Sequence, residues 1–435
     1  MKVVGLITEY NPFHNGHKYH IEQARKVTGA DYCVAVMSGD FVQRGTPAMM
    51  DKYSRAKMAL NNGVDLVLEL PVCYATGSAE YFAHGAVSIL DKLGVVNALC
   101  FGSECGNISR LTSAAQFLLH APEVFENQLQ DYMRDGLTYP AARLKALEHS
   151  MDDLGSSDKH SLSKILTEPN NILGIEYSKA LIKLSSSIEP VTIQRISAHY
   201  HEKELSDVRP YNSNDLELCD PVISSATAIR NTINQQRELP ADAITAAVQS
   251  VPEDVAKYLR DNYQITYPIT EEDFATIIKY KLRNEDSKSL ARYLDITPDL
   301  AERIKNIKDF NMSISILIQN IKTRNMTLTR INRALLHILL SIKTESMRKY
   351  MEADYTPYAR ILGIRKESTP LLRHIEKQGR IPMITKVSKA EEQLDALGMQ
   401  MLSEDIFAAD IYNQAVYQKY GTSLLNEYKH GICIV

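Results

Sequence analysis

The first 110 residues alternate short apolar runs with helical segments, and this alternation restricts the fold more than any other feature of the chain. The apolar runs are continuous, which is typical of strands buried on both faces of a sheet. The predicted strands are residues 3–7, 31–37, 64–70, 96–101 and, further along, 191–197. The predicted helices between them are residues 17–27, 50–61 and 79–93. Strands that alternate with helices of this length predict βαβ units and an α/β, Rossmann-like doubly wound parallel sheet.

The rest of the chain, from residue 108 onward, has a different pattern. Residues 108–185 are predicted to be mainly helical, with a polar stretch at 152–158, and a loop rich in His, Glu and Asp follows the fifth strand up to Pro210. From about residue 241 onward the sequence predicts helix throughout. Its best amphipathic stripe consists of Ile331, Ala334, Leu335, Ile338, Leu339 and Ile342. We therefore predict an α/β domain over residues 1–235 and an α-helical C-terminal domain over residues 236–435.

The charge distribution argues against one class of protein and leaves another open. The chain has 435 residues with 49 Lys+Arg and 53 Asp+Glu, a net charge of -4, which argues against a uniformly basic nucleic-acid binder. Residues 322–380, however, contain 13 basic residues and only five acidic ones. Such a local excess of positive charge indicates either a surface that binds a nucleic-acid backbone or a solvated helix face.

Two further features concern the cellular compartment. The sequence contains no run of 18 apolar residues, and its first residues lead into a strand rather than a signal peptide. The six cysteines have no metal-binding spacing, which predicts reduced core residues in a cytoplasmic protein. They are Cys33, Cys73, Cys100, Cys105, Cys219 and Cys433.

The segment between the first strand and the first helix carries the chemistry. It reads Asn11-Pro12-Phe13-His14-Asn15-Gly16-His17. A helix N-terminus presents unpaired N–H groups and a partial positive charge, so it can bind an anion. Gly16 lets the backbone approach a nucleotide closely, and His14 and His17 can donate hydrogen bonds to phosphate oxygens that gain charge during reaction.

A second motif lies about 210 residues later, before another predicted helix. It reads Ser225-Ala226-Thr227-Ala228-Ile229-Arg230. A Ser/Thr pair followed by Arg at a helix N-terminus can hold the β- and γ-phosphates and the departing pyrophosphate. The alternative interpretation is a capping serine and a solvent-exposed arginine.

Together the two motifs resemble those of the HIGH-motif nucleotidyltransferases, whose second motif usually has two adjacent serines. Here Ala226 replaces the second serine, which removes one hydroxyl contact. Longer blocks resemble the tRNA(Met) cytidine acetate ligase family, and the resemblance extends into the C-terminal half. These blocks are residues 5–17, 37–45, 51–60, 101–104, 169–177 and 329–333.

This resemblance implies a two-step reaction. ATP activates acetate to acetyl-adenylate, and the acetyl group passes to the exocyclic amine of the wobble cytidine in elongator tRNA(Met), giving N4-acetylcytidine. ATP is thus a substrate, tRNA(Met) and acetate are partners, and no membrane or DNA is involved. Two anions must meet, so the site needs positive potential, which we expect from a helix N-terminus, the two histidines, Arg230 and a magnesium ion.

The resemblance also implies which residues form the site. The catalytic residues would be His14, His17, Asp40 and Arg230. The ATP-binding residues would be Ile7, Thr8, Glu9, Tyr10, Asn11, Pro12, Phe13, His14, Asn15, Gly16, His17, Lys18, Tyr19, His20, Gly102, Asn170, Asn171, Arg195, Ser225 and Thr227. The tRNA-binding residues would be Lys322, Arg324, Arg330, Arg333, Arg348 and Lys349. No residue is predicted to bind a resident metal.

Several assignments stay open at this stage. Asp40 is either the base that takes the cytidine proton or a cap for the following turn. Spacing does not decide which of Asn170 and Asn171 contacts ATP. The cationic candidates Lys18, Arg44, Lys52 and Arg55 can each be structural. The tyrosines of the basic stretch, which are Tyr350, Tyr355 and Tyr358, either stack on bases or pack against a helix.

Two other functions compete with the ligase. A small-molecule adenylyltransferase fits residues 1–235 but does not need the additional residues 236–435 with their basic patch. A non-catalytic, nucleotide-gated RNA-binding protein does not require groups that stabilise a transition state, so the presence of His14, Gly16, His17 and Arg230 argues against it. A hydrolytic metal site made of His14, His17 and His20 fails on spacing and on the absence of acidic companions.

Overall fold

The computed structural model describes residues 1–153, 165–195, 224–235 and 240–435. Most of the polar stretch at 152–158, the predicted loop up to Pro210, Cys219 and the boundary near residue 236 lie outside the described residues. The five cysteines that are described are free thiols.

A mostly parallel sheet forms the centre of the molecule. Its strands and those of a small hairpin are β1 Val3–Thr8, β2 Tyr32–Ser38, β3 Phe41–Val42, β4 Thr46–Pro47, β5 Leu66–Leu70, β6 Ala98–Ser103, β7 Glu189–Gln194, β8 Ala359–Ile364, β9 Met383–Ile384 and β10 Cys433–Ile434. The main sheet has the order β10-β8-β5-β2-β1-β6-β7, with β9 beside β8, while β3 and β4 pair separately. The five strands predicted from the sequence are all present, and they pair in parallel.

Helices cover both faces of this sheet. They are α1 Asn15–Thr28, α2 Lys52–Asn61, α3 Val72–Ala75, α4 Ala79–Lys92, α5 Ile108–Leu119, α6 Glu123–Arg134, α7 Tyr139–Asp153, α8 Pro169–Lys183, α9 Ala226–Gln235, α10 Pro240–Val248, α11 Glu253–Asn262, α12 Ala275–Asn284, α13 Ser287–Leu290, α14 Pro298–Lys305, α15 Ile314–Ile321, α16 Leu328–Leu340, α17 Thr344–Glu352, α18 Thr369–Gln378 and α19 Ala396–Tyr420. Short 3-10 helices lie at Glu271–Phe274, Lys366–Ser368 and Val387–Glu392.

Alternate residues of the central strands enter two different cores. In β2, Val34 and Val36 pack into the core on one face, whereas Ala35 and Met37 pack into the core on the other. A strand buried on both faces needs apolar residues at every position, which is why its sequence shows a continuous run instead of an alternation. The predicted doubly wound α/β sheet is therefore confirmed.

The C-terminal half is mainly helical, but it also extends the sheet. The strand β8 pairs antiparallel with β5, and β9 and β10 pair in parallel with β8. The expectation of helix throughout after residue 241 is thus wrong for these strands. The charged Arg360 interrupts an otherwise apolar run in β8, and only its buried ion pairs with Glu69 and Glu427 make that position compatible with a strand.

The helix α16 carries the apolar stripe that the sequence predicts. Its residues Ile331, Ala334, Leu335, Ile338 and Leu339 are all buried. The longest helix of the described chain, α19, has 25 residues. Over the residues that the structure describes, none of the helices combines the length and the apolar composition that crossing a bilayer requires.

Candidate active site

A cleft of about 270 Å³ opens at the carboxyl ends of β1, β6 and β7. It lies where β1 separates β2 from β6, the point at which the strand order reverses, and ligands of doubly wound sheets bind at such a point. The predicted residues that line it are Ile7, Thr8, Glu9, Tyr10, Asn11, His14, Gly16, His17, Tyr19, His20, Gly102, Asn170, Arg195, Ser225, Thr227 and Arg230.

Three helices begin at the rim of this cleft. His14 precedes α1, Asn170 lies in the first turn of α8, and Ser225 precedes α9. The Ser225 hydroxyl accepts a hydrogen bond from the Ala228 N–H at 3.1 Å. Because each helix N-terminus carries partial positive charge, their convergence favours a bound polyanion.

The hydrogen bonds of His14 and His17 determine which ring nitrogen carries the proton. Nδ1 of His14 accepts from the Gly16 N–H at 3.1 Å, and Nδ1 of His17 accepts from the His14 N–H at 3.3 Å. Since Nδ1 is an acceptor in both neutral rings, we assign the proton to Nε2 in each. The two rings stack with centroids 3.7 Å apart, so both Nε2–H groups are available side by side.

Burial keeps these histidines uncharged. It lowers the pKa of His14 to about 3, helped by the charges of Arg195 and Arg230. It lowers the pKa of His20 to about 4 and that of His17 well below its ordinary value, with Arg195 adding to both shifts. With their pKa values lowered in this way, the histidines are neutral N–H donors, and a contribution of positive potential from them to the site stays a prediction.

Arg230 connects the two sequence motifs. Its Nη1 donates to the carbonyl oxygen of Asn11 at 2.6 Å, and its Nη2 donates to the Thr227 hydroxyl at 3.2 Å. The structure thus brings together residues that lie about 210 positions apart. Ser224, which the sequence analysis did not include, also lines the cleft. Ser224 and Ser225 thus form an adjacent serine pair, one position earlier than the pair expected at 225–226.

The opposite end of the cleft distinguishes the two asparagines. Asn170 lines the cleft, and its Oδ1 lies 3.5 Å from Nη1 of Arg195. Asn171 is fully buried, accepting from the Cys105 N–H at 3.1 Å and donating to Glu168 at 2.7 Å. Of the pair, only Asn170 faces the cleft. A side chain at position 102 would crowd this end of the cleft, because its Cβ would lie 3.1 Å from Cγ of Arg195, which also lines the cleft.

Other predicted residues do not line the cleft. Pro12 and Phe13 are buried, and Asn15 contacts the carbonyl oxygens of Gln249 and Ser250. Lys18 is exposed on α1. Pro12, Phe13 and Asn15 support the loop between β1 and α1 without reaching the cleft.

Asp40 also lies outside the cleft lining. It is buried, its Oδ1 accepts from the Lys52 N–H at 2.8 Å, and its Oδ2 lies 3.9 Å from Nζ of Lys52. Burial raises the pKa of Asp40 to about 7 against the opposing charges of Lys52 and Arg55. This contact joins Asp40 to the start of α2, whose N-cap is Asp51, and not to the turn that follows Asp40. The role of Asp40 as a base stays a prediction.

The sequence analysis missed part of the lining or ranked it low. Arg44, only a cationic candidate, and Gln43 lie at the tip of the β3–β4 hairpin and reach the cleft. The other additional lining residues are Phe82, Phe101, Leu173, Tyr177, Ile193, Gln194, Ser224 and Ala226. The position of Ile193 and Gln194 at the carboxyl end of β7 is the signal that could have revealed them. Lys52 and Arg55 are fully buried and structural.

The predicted tRNA-binding residues differ in exposure. Lys322, Arg324, Arg348 and Lys349 are exposed. Nε of Arg333 donates to Asp295 at 2.8 Å, and Arg330 lies partly buried nearby.

The tyrosines of the same stretch pack inside the protein. Tyr350 donates to Glu404 at 2.9 Å and Tyr358 to Asp405 at 2.7 Å, and both rings are buried. Stacking of these two tyrosines on bases is therefore wrong. Tyr355 is partly buried against His84, with ring centroids 5.2 Å apart.

Glu9 is the only carboxylate that lines the cleft among the described residues. Over the same residues, no cluster of three His, Cys, Asp or Glu side chains can hold a metal ion. A magnesium ion bound mainly through the phosphates of a nucleotide fits this lining, because Mg²⁺ keeps its waters and needs few protein carboxylates.

Comparisons with known proteins agree with this geometry. The HIGH Nucleotidyl Transferase family model matches residues 1–427. The tRNA(Met) cytidine acetate ligase of Acetivibrio thermocellus is 38% identical over 413 residues, covering 95% of this chain and 94% of that protein. The ligase of Alkaliphilus metalliredigens is 39% identical over 421 residues, covering 96% and 95%.

Solved structures extend the similarity to three dimensions. The crystal structure of Thermotoga maritima TmcAL bound with alpha-thio ATP is 29% identical, with a TM-score of 0.86 and full coverage of both chains. The apo form of the same protein gives a TM-score of 0.88, again with full coverage. Over nearly its whole length, this chain therefore belongs to the HIGH nucleotidyl transferases and, within them, to the tRNA(Met) cytidine acetate ligase family.

Proposed function

We propose that this protein is an ATP-dependent ligase that forms N4-acetylcytidine at the wobble position of elongator tRNA(Met) through acetyl-adenylate, releasing pyrophosphate. The observation that carries the proposal is the cleft in which His14, His17 and Arg230 converge at helix N-termini. This arrangement occurs in a chain that is similar over nearly its full length to tRNA(Met) cytidine acetate ligases.

The first step would join acetate to the α-phosphate of ATP. The Nε2–H groups of His14 and His17 would donate to phosphate oxygens as charge develops there, and their neutrality avoids a competing salt bridge in the ground state. Arg230 would hold the departing pyrophosphate together with Ser225 and Thr227. Magnesium would be held by phosphate oxygens and would supply further charge stabilisation.

The adenosine would occupy the other end of the cleft. Gly102 leaves space there, and Arg195 and Asn170 offer polar groups beside it. The apolar wall that includes Phe101, Leu173 and Ile193 would pack against the base. Thermotoga maritima TmcAL, whose structure contains alpha-thio ATP, has the same overall fold, which supports this placement.

The second step would transfer the acetyl group to tRNA in the cytoplasm. An anticodon base is already single-stranded, so its extraction requires less free energy than flipping a base out of a duplex. The exposed residues Lys322, Arg324, Arg348 and Lys349 would hold tRNA phosphates. Replacing Lys322 and Arg324 with alanine should reduce the salt dependence of tRNA binding by about one unit of slope per residue.

The direct test supplies purified protein with ATP, isotope-labelled acetate and unmodified bulk tRNA, followed by mass spectrometry of the digested nucleosides. We expect labelled acetylcytidine that disappears when ATP is omitted. Pyrophosphate release that depends on acetate would separate the ligase from a small-molecule adenylyltransferase and from a non-catalytic RNA-binding protein. Folded, ATP-binding protein that yields no acetylated nucleoside would contradict the proposal.

A further inference from the structure

The carboxylates near the cleft have different tasks. Glu104 accepts hydrogen bonds from the backbone N–H groups of Asn170 and Asn171 at 3.3 and 2.9 Å, so it serves the start of α8. Glu168 accepts from the buried side chain of Asn171. Among the described residues, Glu9 alone presents a carboxylate to the cleft itself.

Glu9 is held firmly on one side and is open on the other. Its Oε1 accepts from the Gln43 N–H at 3.0 Å. Its backbone carbonyl accepts from Nη1 of the fully buried Arg55 at 2.7 Å, and the same nitrogen binds the Ser38 carbonyl at 3.1 Å. In the part of the chain that the structure describes, Oε2 of Glu9 has no hydrogen-bond partner. A ligand in the cleft can therefore donate to this oxygen.

The neighbour of Glu9, the β3–β4 hairpin, connects this part of the cleft to the helix α16. Gln43 and Arg44 form the tip of the β3–β4 hairpin, and Gly45 of the same hairpin rests on α16. A Cβ on Gly45 would lie only 2.3 Å from the backbone nitrogen of Arg333, so hairpin and helix are in direct contact. Through this hairpin, Glu9 lies next to the C-terminal half of the chain, which carries the exposed residues proposed to bind tRNA.

We propose that the Glu9 carboxylate is the general base of the acyl-transfer step, an inference that rests on the proposed function. The cytidine N4 attacks the carbonyl carbon of the acetyl group, a C–N bond forms, and the bond between that carbon and the AMP oxygen breaks. AMP leaves as an anion, and the N4 proton passes to Oε2 of Glu9. This assigns to Glu9 the role that sequence reasoning gave to Asp40.

The chemistry explains why a base is needed at this step. The lone pair of the cytidine amine is delocalised into the ring, so N4 becomes a good nucleophile only as its proton is removed. A carboxylate within hydrogen-bond reach of the amine accelerates such a step by about 10²–10⁴-fold. Asp40 is already bonded to the Lys52 N–H and lies outside the cleft lining, so it does not reach an amine there.

The test separates the two half-reactions in Glu9→Gln. Acetate-dependent ATP–pyrophosphate exchange reports activation, and the transfer of label from synthetic acetyl-adenylate to unmodified tRNA reports the second step. We expect exchange near the wild-type rate and a transfer rate reduced about 10²–10⁴-fold. Glu9→Asp should recover part of the transfer rate, because it retains a carboxylate.

Two comparison variants complete the design. Glu22→Gln changes an exposed glutamate on α1 and should leave both half-reactions unchanged. Asp40→Asn tests the competing assignment: if it loses transfer and keeps exchange while Glu9→Gln keeps both, the base is Asp40 and the inference is overturned. Wild-type transfer by Glu9→Gln would overturn the inference, and so would the joint loss of exchange and transfer, which would indicate a metal-binding or structural role. Absence of acetylcytidine with the wild-type protein would instead refute the proposed function.

Discussion

At the scale of single residues, the site depends on polar groups that folding holds in one protonation state or one orientation. His14 and His17 each use Nδ1 to accept a backbone hydrogen bond, and this leaves the Nε2–H for a ligand. Asn170 and Asn171 are neighbours in sequence, yet one faces the cleft and the other is sealed in the core. Each of these contrasts leads to a prediction.

The first prediction concerns pH. Burial lowers the pKa of His14 from 6.5 to about 3 in the folded protein. Between pH 4 and 6 the unfolded chain therefore binds a proton at this position that the folded protein does not, so acidification favours unfolding. His14→Asn, which keeps a capping acceptor, should reduce the slope of unfolding free energy against pH by about 1.4 kcal/mol per pH unit. Urea denaturation across this pH range measures the slope, and an unchanged slope would contradict the prediction.

The second prediction compares the two asparagines. Asn171→Ala removes the acceptor of the Cys105 N–H and the partner of Glu168 inside the protein, so it should lower the unfolding free energy by about 1–3 kcal/mol. Asn170→Ala should instead weaken ATP binding and affect stability less. Chemical denaturation and isothermal titration calorimetry with ATP measure the two effects. Weaker ATP binding by a fully folded Asn171→Ala protein would reverse the assignment.

At the scale of secondary-structure elements, the β3–β4 hairpin links the cleft to the C-terminal helices. Phe41 of β3 packs against Phe274 and Tyr412, with ring centroids 5.5 and 6.0 Å apart. Gly45 adopts a φ of +76° and lies against the backbone of α16. The hairpin is therefore placed by contacts with the second half of the chain, while its tip lies in the cleft.

Gly45→Ala tests this placement. The substitution introduces both an unfavourable positive φ and a Cβ that overlaps the backbone at Arg333. Gly136→Ala is the matched control, because Gly136 has a φ of +86° but no atom lies within 4 Å of the position that a Cβ would take there. Gly45→Ala should lower the unfolding free energy by about 1–3 kcal/mol more than the control and should also reduce tRNA acetylation. Equal effects of the two substitutions would show that the hairpin adjusts freely.

At the scale of the whole molecule, a buried ion cluster joins distant parts of the chain. Nζ of Lys52 lies 2.7 Å from Glu69 and 3.1 Å from Glu427, and Arg360 pairs with both glutamates. Burial acts to raise the pKa of Glu427, but Lys52 and Arg360 hold it at about 2. The cluster thus ties α2 and β5 to β8 and the C-terminal segment.

Glu427→Ala should therefore destabilise the protein strongly. It would leave Lys52 and Arg360 with one carboxylate fewer in a buried site, and breaking a buried pair in this way costs about 3–5 kcal/mol. Glu345→Ala, which breaks the exposed pair with Lys349, is the control and should leave stability nearly unchanged, because water screens that pair. Similar unfolding free energies for the two variants would argue against a structural role for the cluster.

Much of the fold was predictable because its causes are local. A strand buried on both faces requires a continuous apolar run, and four of the five predicted strands are β1, β2, β5 and β6 in the interior of the sheet. The fifth, β7, is a half-buried strand at the edge. The loop from β1 to α1 was equally recognisable, because the geometry of a helix N-terminus is set by residues that are neighbours in sequence, here Gly16 and His17. The proposed boundary near residue 236 stays a prediction.

The remaining features depend on contacts between segments far apart in the chain. The place of β8 in the sheet depends on charges at Glu69 and Glu427 that neutralise Arg360, and no local pattern reveals such partners. The choice of Asn170 over Asn171, and the presence of Glu9 instead of Asp40 in the cleft, depend on which side of a packed element each side chain faces. The sequence by itself determined the α/β class and the chemistry of the first motif, because propensity and hydrophobic pattern act over a few residues. Only the tertiary structure decided which polar groups meet, because burial and pairing arise when distant segments pack.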